Sequence, residues 1–167
     1  SRVTPGLGIL TYAYTSDGTD ANLQVRAKSF TQDGSTGLLT FGSEVIFTGN
    51  SDVHGTAARV HPLEEKTGSY STDDFGMLTF YYMHNSDFFL KGLGFKMTSA
   101  GVVSFGSSSK TFGSNTTSYY AAEKALPRPI PLMRNDLQFA VVWSSSVSNY
   151  QDAYIKYVRV VPTSIGL

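Results

Sequence analysis

The feature that most constrains this chain is a stretch that occurs twice. Residues 37–47 read GLLTFGSEVIF and residues 101–112 read GVVSFGSSSKTF. Each opens on a glycine, adds two aliphatic residues and a hydroxyl residue, and then carries Phe-Gly-Ser before a polar-to-aromatic strand end. Phe41 and Phe105 lie 64 residues apart. That period exceeds the usual solenoid range and is within reach of a large propeller blade. The glycine after each phenylalanine sits mid-strand, where it marks a bulge or bend.

The segments around the repeat read as strands. Ile9 to Thr15, ILTYAYT, is β-branched and aromatic. Leu23, Val25 and Ala27 alternate with Gln24, Arg26 and Lys28, the period of a half-buried antiparallel strand. Turns are expected at 16–20 and 32–37, and Thr56 to Val60 supplies a fourth short strand. The order then restarts: MLTFYY at 77–82 matches ILTYAY at 9–14 at an offset of 68, with Val25 meeting Leu93. Because Phe-Gly-Ser matches at 64, the second copy is four residues shorter, a deficit assigned to the turn at Ser99-Ala100-Gly101. A third start, DLQFAVVW at 136–143, aligns with residues 74–81 at an offset of 62, followed by AYIKYVRVV at 153–161. Proline-rich residues 126–132 form an extended connector. No segment carries a convincing helical period, and AAEKAL at 121–126 is too short for more than a turn. The reading is one all-β domain over 1–167, with repeats at about 8–63, 73–126 and 135–161.

Composition excludes several functions. With 13 basic and 13 acidic residues the net charge is zero, and only 16% of residues are charged. Such a chain has no basic stripe for nucleic acid and no polybasic membrane anchor. Cysteine is absent, which removes disulfides and thiolate chemistry together. No apolar run is long enough to span a bilayer. The opening SRVTPGLG has neither the basic nor the apolar region of a secretory signal.

This order of strand, turn, alternating strand, turn and Phe-Gly-Ser strand resembles the divergent β-propeller-like repeats of phage tail fibres and other virion surface-adhesion proteins. The resemblance covers roughly residues 8–161, and Phe41-Gly42-Ser43 and Phe105-Gly106-Ser107 are its most specific elements. It implies antiparallel blades in which Phe41, Gly42, Phe105, Gly106 and Trp143 form the structural core. It further implies a non-enzymatic structural and recognition module of a virion or extracellular surface, assembled as a homo-oligomer and binding a receptor glycan. About two and a half repeats do not close a ring of four to eight blades, so neighbouring subunits, a longer chain or an open stack is expected. The alternative is a jelly-roll β-sandwich, a viral coat or capsid-decorating protein whose function is particle assembly. AYIKYVRVVP resembles the closing strand of such coats, while the internal duplication favours the blades.

Individual site candidates are few. His54, His61 and His84 lack zinc-site spacing and read as turn or surface residues. The turn 17–20 and the pair Asp73-Asp74 offer oxygens to a hard cation but do not match a calcium loop, and turn formation accounts for them. Glu44, Glu64, Glu65 and Glu123 suggest no acid–base pair, and no nucleophile elbow or phosphate loop is present. No catalytic residue, metal or cofactor is therefore expected. The Asn115-Thr116-Thr117 glycosylation triplet is discounted for want of a secretory signal. Aromatic residues are the surplus, at 13% of the chain. Phe88, Phe89, Tyr119, Tyr120 and Tyr150 fall near turns or strand ends, where such rings stack on sugars or anchor interfaces, and they are the ligand-binding candidates.

Overall fold

A computed structural model describes residues 7–15, 23–47, 53–61, 73–84, 87–114, 127–132, 137–147 and 150–167. These residues form twelve strands and no helix, so the chain is all-β. The first sheet holds β1 (Leu7–Tyr14), β2 (Gln24–Gln32), β3 (Leu39–Phe41) and β4 (Val45–Phe47). The second holds β5 (Val53–Val60), β6 (Asp74–His84), β7 (Asp87–Met97), β8 (Val103–Phe105) and β9 (Lys110–Ser114). The third holds β10 (Ile130–Pro131), β11 (Gln138–Val147) and β12 (Tyr150–Arg159). Every pairing is between antiparallel neighbours, and none of the sheets closes into a barrel.

Both Phe-Gly-Ser stretches do what a mid-strand glycine predicts. In the first sheet β3 and β4 pair with β2 on either side of Gly42, and in the second β8 and β9 pair with β7 on either side of Gly106. Gly42 donates its N–H to Ser29 and Gly106 donates to Gly94, each at 3.0 Å. Gly37 and Gly101, the first residues of the two stretches, take φ of +71° and +80°, a conformation open to glycine at no steric cost.

Pairing corrects the repeat register twice. Phe30 pairs with Phe41, and Phe95 with Phe105; Gly8 pairs with Phe30, and Gly76 with Phe95. First strands therefore correspond at 68 residues and second strands at 65, so Val25 corresponds to Leu90 and not to Leu93. Most of the deficit lies in the hairpin between them, because β6–β7 pairing continues to His84↔Asp87 whereas β1–β2 pairing stops at Tyr14↔Gln24. In the third sheet, Leu132 donates to Gln138 as His61 donates to Phe75, which makes the offset 63 instead of 62. A one-residue slip in a strand exchanges its two faces. The strand expected to close the first repeat also belongs elsewhere: β5 pairs with β6 and leads the second sheet.

With that register the sheets stack in one sense. Val25 and Phe47 of the first sheet meet Leu78, Phe80, Leu93 and Phe95 of the second in one apolar cluster. Leu7 and Ala27 meet Met97 and Val103 in a smaller one beside it. The opposite side of the second sheet, with Phe75, Met77, Tyr81 and Leu90, packs on Phe139, Val141, Trp143 and Val158 of the third. Val141 and Trp143 are the register equivalents of Leu78 and Phe80, so both sheets turn the same face toward their predecessor. β5, which precedes the second sheet's equivalent of β1, lies beside both β1 and β10. The closing turn is anchored by a Val161–Gly166 bridge, and Ile165 and Leu167 pack against the cluster between the second and third sheets. A side-chain carbon at Gly94 or Gly106 would run into the Ile165 carbonyl, so both glycines clear its path.

Candidate functional site

Among the described residues no sheet packs on the outer face of the first sheet, and that face is open. Alternation along β1 and β2 sends Leu10, Tyr12 and Tyr14 outward together with Arg26 and Lys28, while Ile9, Ala13, Val25 and Ala27 go to the core. β3 and β4 add Leu39, Phe41 and Ile46 to the same exposed side. Leu10, Tyr12, Lys28 and Phe41 line a cleft of about 310 Å³ on this face.

A charged cluster crosses the apolar ground. Glu44 accepts from Arg26 Nη1 at 2.5 Å and from the Tyr12 hydroxyl at 3.0 Å, and Lys28 Nζ lies 3.6 Å from its other side. The Arg26 guanidinium also sits 4.8 Å from the centre of the Tyr14 ring. The Arg26 hydrogen bond, assisted by Tyr12 and both cations, lowers the Glu44 carboxyl below its ordinary range. Burial, reinforced by the Glu44 hydrogen bond, raises the Tyr12 phenol. The carboxylate is thus charged and saturated at neutral pH. Aromatic and aliphatic walls around fixed polar groups can hold a planar or apolar surface and orient its hydroxyls.

The core set splits. Trp143 and Gly106 are buried, with Trp143 stacked on Tyr154 at 5.6 Å and 17°, and Phe105 is half-buried beside Phe47 at 6.1 Å. Phe41 and Gly42 are not core: Phe41 is 52% exposed, its ring 6.3 Å from Phe30, because no sheet among the described residues covers that side of the first. Among the ligand candidates, Phe88 and Tyr150 occupy equivalent hairpins of adjacent sheets, the β6–β7 and β11–β12 turns. Phe89 follows Phe88 and is half-buried. Tyr119 and Tyr120 lie outside the described residues, as do the turn 17–20, Glu64, Glu65, Glu123 and the triplet at 115–117.

The remaining candidates read structurally. His61 is buried at the end of β5, its ring edge-on to Phe139 at 5.1 Å, which places one histidine in the core where a turn or surface position is expected. The side chains of His54 and His84 are outside the description. Asp73 faces Lys96 at 3.4 Å, and Asp74 is buried. Among the described residues no three metal-ligating side chains converge. The cluster of Arg26, Lys28 and Glu44 escaped the sequence reading, although Arg26 and Lys28 were legible as the polar side of β2. What brings Glu44 to them is the break after Gly42, which no spacing rule supplies. No family model, no curated protein and no solved structure matches the chain.

Proposed function

We propose that the chain is a structural and recognition module of a virion or surface appendage, built of propeller-like blades, that binds a receptor glycan without catalysis. The observation that carries this reading is the stacking itself: three antiparallel meanders face one another in a single sense, with β5 lying beside both β1 and β10. That is how blades follow one another around an axis. A two-sheet sandwich offers no place for the third layer. The equivalent β6–β7 and β11–β12 hairpins carry Phe88 and Tyr150, residue types whose rings stack on sugars.

Screening the chain on an immobilised glycan panel tests it. The expected result is retention of a defined glycan class, with Tyr150→Ser weakening it at least tenfold at an unchanged unfolding midpoint. Failure to retain any glycan, together with shells assembled by the chain alone, overturns it in favour of a coat protein.

A further inference from the structure

Among the described residues two sheet faces are left uncovered, one at each end of the stack. On the third sheet the outward residues of β11 and β12 are Ala140, itself buried between its neighbours, and the exposed Val142, paired with Tyr157 and Ile155. Ile155 is 55% and Tyr157 63% exposed, far above what a solitary folded sheet needs to leave in water. On the first sheet it is the face with the cleft.

The repeat register says what each face is. Ala140, Val142, Ile155 and Tyr157 correspond to Ile9, Thr11, Ala27 and Ser29 of the first sheet. Those residues face the second sheet: Ile9 and Ala27 join its apolar clusters, and Thr11 shares a 3.2 Å hydroxyl hydrogen bond with Thr56. The four residues lining the cleft correspond to Leu78, Phe80, Leu93 and Phe105, which in the second sheet receive the first. One open face is therefore of the presenting kind and the other of the receiving kind. Both belong to an interface that the molecule already makes twice within itself.

We propose that these two faces dock on each other between copies of this chain, the third sheet of one copy seating on the first sheet of the next. The occupant of the cleft is a second copy. The contact is heterologous, so it closes into a ring when the rotation between sheets divides the circle and otherwise grows as a filament. Side-chain sizes differ from the internal interfaces. Where the first two sheets present Ser29 and Gly94, the third presents Tyr157; where the second sheet fills its receiving face with Phe80 and Leu93, the first leaves the cleft beside Tyr12 and Lys28. Arg26 carries its counter-ion with it, since Glu44 pairs with it at 2.5 Å, and the one positive charge left over lies on Lys28, whose Nζ is 3.6 Å from the same carboxylate. The inference rests on the blade-like reading above and supplies the contact by which blades of separate copies join.

Disulfide trapping tests it cleanly, since the chain has no cysteine of its own. Ala27 and Val103 share a buried cluster across the internal interface, and their equivalents across the proposed one are Ile155 and Leu39. An equimolar mixture of Leu39→Cys and Ile155→Cys should give a single cross-linked dimer on oxidation, while each variant alone stays uncross-linked. The double variant should give larger closed or laddered species. Tyr157→Lys, at an exposed position that leaves folding intact, should reduce the solution mass to that of one chain. Self-cross-linking of either single variant shows a symmetric contact and overturns the proposal. So does a monomeric wild-type chain at its highest soluble concentration. Glycan retention is read separately on the Tyr157→Lys variant, so loss of docking and loss of recognition are told apart.

Discussion

Tyr12 and Phe80 stand at equivalent points of two like sheets, and so do Lys28 and Leu93. Phe80 and Leu93 are fully buried, whereas Tyr12 carries a hydroxyl bonded to Glu44 and Lys28 an ammonium group beside it. The second sheet has a neighbour on both sides and spends both faces on apolar packing. Among the described residues the first has one neighbour, and its free face mixes aromatic rings with two cations and one carboxylate. What a repeat unit conserves is the strand path and the alternation; what it varies is the chemistry of whichever face is not permanently covered. A face that stays dry cannot carry a charge cheaply, and a face that is sometimes wet must carry some.

Substitutions at equivalent positions sharpen that contrast. The largest gap is expected between Phe80→Ala and Tyr12→Ala. The first empties a fully buried site and should cost roughly 3–5 kcal/mol in urea unfolding. The second, on the open face of the single chain, should fall near about 0.5 kcal/mol. Equal costs would mean that the outer face is already covered within one chain.

Gly76→Ala and Gly8→Ala come next. A methyl at Gly76 would press on the Phe95 ring and sit 2.6 Å from the Arg59 carbonyl, and Phe95 is fully buried. The same change at Gly8 meets only Phe30, which is half-buried on the open face and free to swing toward water. Overpacking of the first kind costs about 1–3 kcal/mol, and the second should cost clearly less. Thermal midpoints of the two variants decide it.

A third pair is Phe105→Ala against Phe41→Ala. Phe105 packs into both clusters shared by the first two sheets, so its loss should lower the stability of the single chain. Phe41→Ala should leave that stability nearly unchanged and act on assembly, read by light scattering against dilution.

The smallest expected effect separates the two turns that precede β3 and β8. Asp33 accepts from the N–H and hydroxyl groups of Ser35 and Thr36, at 2.7 to 2.9 Å, while the equivalent Thr98 hydroxyl takes one bond, from the Val102 N–H at 3.1 Å. These bonds, that from the Ser35 hydroxyl foremost, hold the Asp33 carboxyl well below its ordinary range. A depressed folded-state pKa stabilises fully above the unfolded value and loses that effect as pH falls through the folded one. Asp33→Ala should therefore cost a constant amount at neutral pH, with the gap to the parent shrinking under strong acid. A gap independent of pH would remove the carboxylate from the account.

Much of this was legible in the chain. Alternation from Leu23 to Lys28 gave β2 and its two faces, and the two Phe-Gly-Ser stretches marked where a long strand pauses before pairing again. The third copy was not legible to the residue. DLQFAVVW aligns by likeness at 62, while hydrogen bonding sets 63, because runs of apolar residues match themselves equally well one step along. That single step decides which side of β11 meets the second sheet. Phe41 illustrates the other limit: its neighbours in sequence copy those of Phe105, but whether a ring is buried depends on a sheet that local sequence does not mention. The Arg26–Glu44 pair joins residues 18 apart through a break in the strand, a distance that pattern does not report.

The close fit of the Ile165 carbonyl over Gly94 and Gly106 has a consequence for the order of assembly on the ribosome. The second sheet is complete in its own strands by Ser114, yet residues 161–167 finish the cover of its far side. During synthesis that side waits through some fifty further residues, open to any sticky surface that arrives first. The first two sheets can settle against each other as they emerge, and the third arrives on a partner already formed. A nascent chain stalled before Val160 should thus be the species that chaperones hold, and release should follow the last turn.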